Sequence, residues 1–290
     1  MIRTEELTKR YGDAVALDRV ALDVPAGSVY GLVGPNGAGK TTLLSILAGL
    51  RHPSAGSVAI DVERAGIAVL VDAPRFDPWL TGREVVDLAR HLAAGDTPPA
   101  EVDRVLAESG LSDAAERRVG GYSRGMLQRL GLAATVIGDP AVLLLDEPAS
   151  ALDPVGRREV LDLVRRMRGS ATVVFSSHIL ADVQEVCDHI GILDRGRLLF
   201  QGPVDDLLGR RSAVLVRTRD DAPGLEDRFG GLPWVAGTDR LDDRTLRIRV
   251  SDTAAAEAGL AGVLADAPIR LVSVRPDTPT LEDAFLEVTR

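Results

Sequence analysis

The chain has 290 residues, a formal net charge of −9 and 27% charged residues. This length exceeds one typical domain and fits two, and an acidic balance with interspersed arginines argues against nucleic acid as a partner. The single cysteine, Cys187, excludes an intramolecular disulfide, fits a reducing cytoplasm and is expected to serve helix packing. Because the sequence shows no run of 18 apolar residues and no apolar leader, we expect the chain to be soluble by itself.

The first informative element is a short apolar run, 28–33, which predicts a buried strand, followed by apolar residues at helical spacing over 41–50. Between them lies Lys40, one of only two lysines in a chain that otherwise uses arginine. A retained lysine marks a position where a planar guanidinium does not fit. Lys9, the other lysine, lies in a polar stretch and is expected to be ordinary surface.

The residues around Lys40 have the spacing of a nucleotide-binding P-loop, in which backbone amides wrap phosphates, the lysine reaches the β and γ phosphates and the hydroxyl of Thr41 holds Mg²⁺. The preceding strand and following helix are the context that this motif needs, since the helix N-terminus favours anions. A glycine-rich turn between two core elements is the alternative. The predicted ATP-binding residues are Gly34, Pro35, Asn36, Gly37, Ala38, Gly39, Lys40, Thr41 and Thr42.

A second apolar run, 141–145, ends in the adjacent acids Asp146 and Glu147. This pattern predicts a strand buried on both faces whose carboxyl end carries function. We expect Asp146 to hold Mg²⁺ and Glu147 to orient or deprotonate the attacking water. A helix cap or a solvated loop is the alternative role for the two acids.

A third predicted strand, 171–177, is followed by His178. A lone histidine after a strand is usually structural, but after a P-loop and an acidic pair we predict that it contacts the γ-phosphate. The remaining histidines have no comparable setting.

The order of these motifs resembles the ATP-binding subunit of ABC transporters over residues 1 to about 208. The resemblance implies an α/β fold, the P-loop ABC ATPase cassette with a helical subdomain at about 73–135. It implies that Tyr11 stacks on adenine, with packing on the first sheet as the alternative. Base stacking is worth on the order of 1 to 3 kcal/mol in nucleic-acid complexes.

The stretch 120–133 resembles the family signature that opens a helix, and 150–153 resembles the family's D-loop. The resemblance implies that Ser123 and Gly125 meet the γ-phosphate bound to a second subunit. It also implies that Asp153 couples the two sites across the dimer. A composite site shared by two chains is therefore expected.

Two positions depart from the family pattern. Asp72 stands where glutamine is usual, and an ionised carboxylate donates no hydrogen bond. Asp72 is a candidate to bind Mg²⁺ or to orient water. We expect ATP hydrolysis to be slower, or coupled differently to transport, than with glutamine at this position. Arg124 stands where a second glycine is common. Because arginine lacks the freedom of glycine at positive φ, we predict an ordinary helix N-terminus there, with Arg124 either near the partner's phosphates or solvated.

The stretch 75–84 leads into a predicted helical region that extends to Gly110 with a proline break at 97–99, matching the family's helical subdomain. Phe76 and Trp79 are candidates for the groove that receives the membrane subunit. Packing inside the subdomain is the equal alternative.

After residues 209–212 the pattern changes to alternating strands at 214–217, 246–250 and 269–274, with helices at 253–266 and 281–288. Thr280 and Asp283 form the predicted capping pair of the last helix. We therefore predict a small C-terminal α+β domain over 212–290, whose last residues resemble the extension of ABC-2 drug-exporter ATPases. Dimer contact or regulation, or simple stabilisation, are its candidate roles.

The resemblance implies an ATPase that uses ATP and Mg²⁺ and powers a separate ABC-2 type permease, exporting a drug-like, lipid or peptide substrate. The expected partners are that permease and a second ATPase subunit, a homodimer being favoured, at the cytoplasmic face of the membrane. The alternative is a soluble regulatory ATPase or a nucleotide-gated scaffold with low turnover. A ribosome-acting member usually joins two cassettes, and a DNA-acting member would need coiled-coil insertions that the sequence lacks.

Overall fold

The computed structural model describes residues 1–93, 97–150, 152–208, 213–277 and 280–289. Its strands are β1 Ile2–Tyr11, β2 Ala14–Val20, β3 Asp23–Val24, β4 Val29–Val33, β5 Ala55–Ile60, β6 Ile67–Leu70, β7 Val142–Asp146, β8 Thr172–Ser177, β9 His189–Asp194, β10 Arg197–Pro203, β11 Ala213–Thr218, β12 Val235–Asp242, β13 Thr245–Val250 and β14 Leu271–Asp277. Its helices are α1 Lys40–Leu47, α2 Gly82–Leu92, α3 Ala100–Glu108, α4 Arg124–Val136, α5 Pro154–Arg166, α6 Leu180–Val186, α7 Val204–Leu208, α8 Thr253–Ala265 and α9 Leu281–Val288. Among these helices, none is both long enough and apolar enough to cross a bilayer.

The chain forms two compact units, Met1–Val204 with Val288–Arg290, and Asp205–Glu287. The predicted boundary at 209–212 falls outside the described residues. Each unit has its own apolar core. The site residues all belong to the first unit.

The centre of the first unit is a six-stranded sheet in the order β10-β9-β4-β8-β7-β6. Strands β4, β7 and β8 are buried along their whole length, which explains their continuous apolar sequences. Because β4 pairs parallel with β8, and β8 with β7, their carboxyl ends meet at one edge. Asp146 is the register partner of Ser176 there.

A second, antiparallel sheet is built on β1, which pairs with β2, β3 and β5. Its inward residues share a core with α1 and with β4, β7 and β8. Helix α1 begins one residue earlier than predicted and ends at Leu47, because Gly49 adopts φ 72°, a left-handed conformation that stops a helix. The predicted end at residue 50 was therefore wrong, and Leu50 is exposed.

Helices α2, α3 and α4 pack on one another around a separate apolar cluster that includes Val86, Val105 and Leu130. Helix α2 opens with a capping box, in which Thr81 accepts from the Glu84 amide and Glu84 accepts from the Thr81 amide. These helices form between β6 and β7 in the sequence. They carry the segment in which the family signature was identified.

The second unit is an antiparallel sheet in the order β12-β13-β11-β14. Alternate residues of β11 and β13 point into a core with Phe229 and Trp234, whose rings meet edge to face at 6.2 Å. The predicted pair caps α9, since the Thr280 hydroxyl oxygen accepts from the Asp283 amide at 3.2 Å and Asp283 accepts from the Thr280 amide at 3.2 Å. Strand β12 was not predicted, because its sequence shows no regular alternation.

Candidate nucleotide-binding site

The loop between β4 and α1 has the backbone geometry of a phosphate cradle. Gly39 has φ 108°, and a Cβ atom there would lie 2.6 Å from the carbonyl oxygen of Ala16. A Cβ atom at Gly34 would lie 2.1 Å from the carbonyl oxygen of Leu193. Only glycine therefore fits at either position. No side chain caps the N-terminus of α1, so its amides face a prospective anion.

Lys40 lies inside this loop with 7% of its side chain exposed. Its ammonium donates to the carbonyl oxygen of Gly34 at 2.8 Å and lies 3.8 Å from Glu147 Oε1. A buried ammonium needs such partners because desolvation of an unpaired charge is costly. The loop carbonyl and the acid thus hold the charge of Lys40 within the cradle.

A cavity of about 250 Å³ opens over the loop. The cavity is lined by residues of the P-loop, by the acidic pair and by Asp72, all of which are predicted site residues. It is also lined by Ala16 from β2, which the sequence did not predict. Its lining consists of Ala16, Asn36, Gly37, Ala38, Gly39, Lys40, Thr41, Thr42, Asp72, Asp146 and Glu147. The predicted loop residues Gly34 and Pro35 do not line this cavity, but their carbonyl oxygens accept hydrogen bonds from the Lys40 ammonium.

Glu147 has φ 48°, a left-handed backbone conformation that is unusual for a residue other than glycine. Its amide donates to Ser176 Oγ at 2.9 Å, and its carbonyl oxygen accepts from the Ser150 amide at 3.2 Å and from Gln128 Nε2 at 3.4 Å. Such strain persists only where the surroundings fix it, and it clusters at functional sites. The bonds to its main chain hold the carboxylate of Glu147 in the cavity.

Ser176 joins the two acids. It is fully buried, and its hydroxyl donates to Asp146 Oδ1 at 2.6 Å while accepting the amide of Glu147. Sequence analysis missed this residue. The only available signal was a pair of serines before His178 in a strand that is otherwise apolar.

His178 lies beside Glu147, with Nδ1 at 2.8 Å from Glu147 Oε2. An ionised carboxylate only accepts hydrogen bonds, so Nδ1 carries the proton of this hydrogen bond. Nε2 is not used in the contact with Glu147. Half of the histidine side chain is exposed. The structure thus places His178 and Lys40 on the two oxygens of one carboxylate.

Tyr11 is at the end of β1 and is 42% exposed. The ammonium of Lys9 lies 5.1 Å from the centre of its ring, and Arg51 lies 5.6 Å from that centre and donates to the Tyr11 hydroxyl at 3.1 Å. These are cation–π distances. The expectation that Lys9 is ordinary surface was therefore wrong, because the residue spacing along β1 places it against Tyr11.

The signature residues lie outside this cavity. Ser123 caps α4 by accepting the Met126 amide at 3.2 Å, and Ser123 is exposed, as is Arg124. Arg124 is the first residue of α4 and does not have a positive φ, so the predicted ordinary helix N-terminus is confirmed. Its contact with phosphate stays a prediction, as do the roles of Ser123 and Gly125.

Asp153 belongs to the D-loop and Asp72 contacts it, while Ala151 of that loop is outside the described residues. Asp153 caps α5 by accepting the Gly156 amide at 2.8 Å. Asp72 accepts from the hydroxyl of Ser150 at 3.3 Å and also lines the cavity. The acid that replaces glutamine therefore connects the cavity to the D-loop.

Behind the site, Arg157 on α5 donates to Asp182 on α6 at 2.7 Å. Burial raises the pKa of Asp182, and the charge of Arg157 opposes that rise. This pair ties the helix that follows Asp153 to the helix that follows His178.

The two candidates for the membrane-subunit groove differ in exposure. Phe76 packs against the cluster formed by α2, α3 and α4, whereas Trp79 is 64% exposed. The packing alternative holds for Phe76. Trp79 is available to a partner.

In the described part of the chain, no group of three or more histidine, cysteine or acidic side chains is arranged to hold a metal. Thr41 and Asp146 nevertheless place a hydroxyl and a carboxylate on the same cavity. Hard oxygen ligands of this kind suit Mg²⁺, which takes one or two protein carboxylates together with substrate phosphates. The residues present fit that ion.

A phosphate cradle with a buried lysine, and an acid and a histidine on the neighbouring strand ends, define a P-loop ATPase with a helical insertion. Residues 17–150 match the family described as ABC transporter. The daunorubicin resistance ATP-binding protein DrrA3 of Streptomyces coeruleorubidus is 37% identical over 305 residues, covering 99% of this chain and 95% of that protein. The chain belongs to the ABC transporter ATP-binding family and is an ABC-type ATPase.

Two further similarities agree. The bacitracin transport ATP-binding protein BcrA of Bacillus licheniformis is 36% identical over 226 residues, covering 74% of each chain. A solved structure of the ATP binding subunit of an ABC transporter matches with a TM-score of 0.66 and 27% identity, covering 72% of this chain and 92% of that one. The predicted cassette fold is confirmed.

Proposed function

We propose that this ATPase powers a separate ABC-2 type permease and drives export of a drug-like, lipid or peptide substrate from the cytoplasmic face of the membrane. The observation that carries the catalytic part is the contact of one carboxylate, Glu147, with both Lys40 and His178. Export is supported by similarity to proteins named for daunorubicin resistance and bacitracin transport. Exposed Trp79 is the candidate contact for the permease.

In the proposed mechanism, Lys40 and the amides at the start of α1 bind the phosphates and stabilise charge on the transferred group. Glu147 accepts a proton from water as the water oxygen bonds to the γ-phosphorus and the bond to the β-γ bridging oxygen breaks. The products are ADP and inorganic phosphate. His178 donates a hydrogen bond to Glu147 through Nδ1, and with the imidazole ring doubly protonated Nε2–H donates to the γ-phosphate.

Mg²⁺ bound through Thr41 and Asp146 would neutralise phosphate charge. The hydrogen bond from Ser176 fixes the orientation of the Asp146 carboxylate, as partners of metal ligands commonly do. Asp72 is a further candidate ligand because it lines the same cavity.

The proposed active form contains two copies, with a heterodimer as the alternative. Ser123 and Gly125 are at the N-terminus of α4, which favours anions, and outside the cavity of their own chain. We therefore assign them to the nucleotide held by the partner. Asp153 at the start of α5 is the candidate coupling residue between the two sites.

The deciding experiment compares ATP turnover of the wild type and Glu147→Gln, with the exposed Glu5→Gln as a control. Loss of turnover with accumulation of an ATP-bound dimer in Glu147→Gln alone supports the enzyme. Equal, very low turnover in all three proteins supports the nucleotide-gated scaffold. Co-purification of the wild-type chain with a membrane permease tests the transport role, and Trp79→Ala should weaken that association.

A further inference from the structure

Gln128 is an unusual residue for its position. It lies on α4 with 2% exposure, and its buried neighbours on that helix are mostly apolar or small, including Leu130, Gly131 and Ala133. Burying a primary amide is costly unless it is hydrogen-bonded. Its location therefore requires a partner.

That partner is the main chain of Glu147. Gln128 Nε2 donates to the carbonyl oxygen of Glu147 at 3.4 Å. The contact joins the helical insertion to the strand end that carries the acid, across 19 residues of sequence. A leucine or methionine at this position would pack but could not donate.

The contact matters because of the backbone conformation of Glu147. At φ 48° this residue is strained, and relaxation to a negative φ would reorient the peptide groups on either side. Ser176 holds the amide side and Gln128 holds the carbonyl side. Removing either anchor leaves the other, together with the Ser150 amide, to resist the strain.

We propose that Gln128 is a positioning residue for ATP hydrolysis, in which its buried amide keeps the Glu147 backbone in the conformation that directs the carboxylate toward Lys40 and His178. This inference rests on the proposed role of Glu147 as the base. It assigns no contact between Gln128 and nucleotide. The expected signature is a loss of turnover without a loss of ATP affinity.

The test replaces Gln128 by methionine, which has a similar length and favours helix but has no donor. The matched control is Thr135→Val, two turns further along the same helix, which removes a buried hydroxyl that donates to the Gly131 carbonyl at 2.7 Å. We expect kcat of Gln128→Met to fall roughly 10- to 100-fold with KM for ATP within about twofold, as for loss of an interaction used only in the transition state. Thr135→Val should keep the wild-type kcat.

A second measurement separates positioning from folding. In the Glu147→Gln background, adding Gln128→Met should leave the ATP-dependent dimer and its ATP affinity unchanged. Turnover of Gln128→Met close to wild type would overturn the inference, as would loss of ATP binding or of the folded state in the double variant. Retained turnover in Glu147→Gln itself would instead overturn the proposed function.

Discussion

Ser176 Oγ and Asp146 Oδ1 lie 2.6 Å apart in a part of the sheet where Ser176 is fully inaccessible. The same oxygen accepts the amide of Glu147. One hydroxyl thus orients the proposed metal ligand and anchors the backbone of the proposed base. Hydrogen bonds to a charged group are stronger than those between neutral groups.

Replacing Ser176 by alanine should remove both bonds and leave the Glu147 amide buried without a partner. We expect kcat for ATP hydrolysis to fall roughly 10- to 100-fold, in line with the loss of a supporting group next to a metal ligand. Thr172→Val, at the opposite end of β8, is the control. Steady-state phosphate release measures the effect, and wild-type activity in Ser176→Ala would contradict it.

Replacing Tyr11 by alanine should weaken ATP binding by about 1 to 3 kcal/mol, or roughly 5- to 140-fold in Kd. The affinity for tripolyphosphate, which has no base, should not change. Tyr11→Phe removes only the hydroxyl that accepts from Arg51 and should retain most of the affinity. Calorimetric titration of ATP and of tripolyphosphate into the wild type and the two variants measures these affinities. Equal losses of affinity for ATP and tripolyphosphate in Tyr11→Ala would exclude base stacking.

Replacing Asp72 by glutamine should restore a longer side chain that can donate to water. We expect turnover to rise several-fold and the hydrogen bond from Ser150 to be exchanged for one to the amide. Asp72→Asn, which removes the charge at constant length, separates charge from reach. If Asp72→Gln leaves both hydrolysis and transport unchanged, this position does not control the rate.

Replacing Arg157 by glutamine should destabilise the first unit in a pH-dependent way. Burial already raises the pKa of Asp182 and Arg157 opposes it, so the variant raises that pKa further. A raised pKa in the folded state means that stability is fully present below the ordinary value and is lost as pH rises through the folded-state pKa.

The free energy of unfolding of Arg157→Gln should therefore approach that of the wild type near the ordinary aspartate pKa and fall behind it by roughly 2 to 3 kcal/mol at neutral pH. This is less than for a fully buried pair because 31% of the Arg157 side chain is exposed. Arg165→Gln, which breaks exposed pairs with Asp162 and Glu185, should cost under about 1 kcal/mol at either pH. Denaturant unfolding at two pH values provides the comparison.

The chemistry that sequence could predict is the part carried by consecutive residues. Lys40 and Glu147 were recognised because local spacing and a buried apolar strand define their setting. Ser176 and Gln128 were not, because their significance lies in bonds to the main chain of Glu147 that only the tertiary fold creates. Lys9 was misjudged for a different reason, because its contact with Tyr11 follows from their spacing of two residues along β1.

The fold shows the same division. The buried parallel strands can be predicted from their apolar runs. Strand β12 contains a glycine and several polar residues, and it forms because it pairs with β13. The end of α1, by contrast, had a local signal in Gly49, since glycine commonly ends a helix in the left-handed conformation that this residue adopts.

The two lysines of this chain stand at the two ends of the proposed ATP, Lys9 against Tyr11 and Lys40 inside the phosphate loop. Every side-chain primary amine in the chain is therefore a reporter of this one site. An acylating reagent followed by peptide mass spectrometry would give two footprints, one for the base end and one for the phosphate end. ATP should protect both lysines, and tripolyphosphate only Lys40.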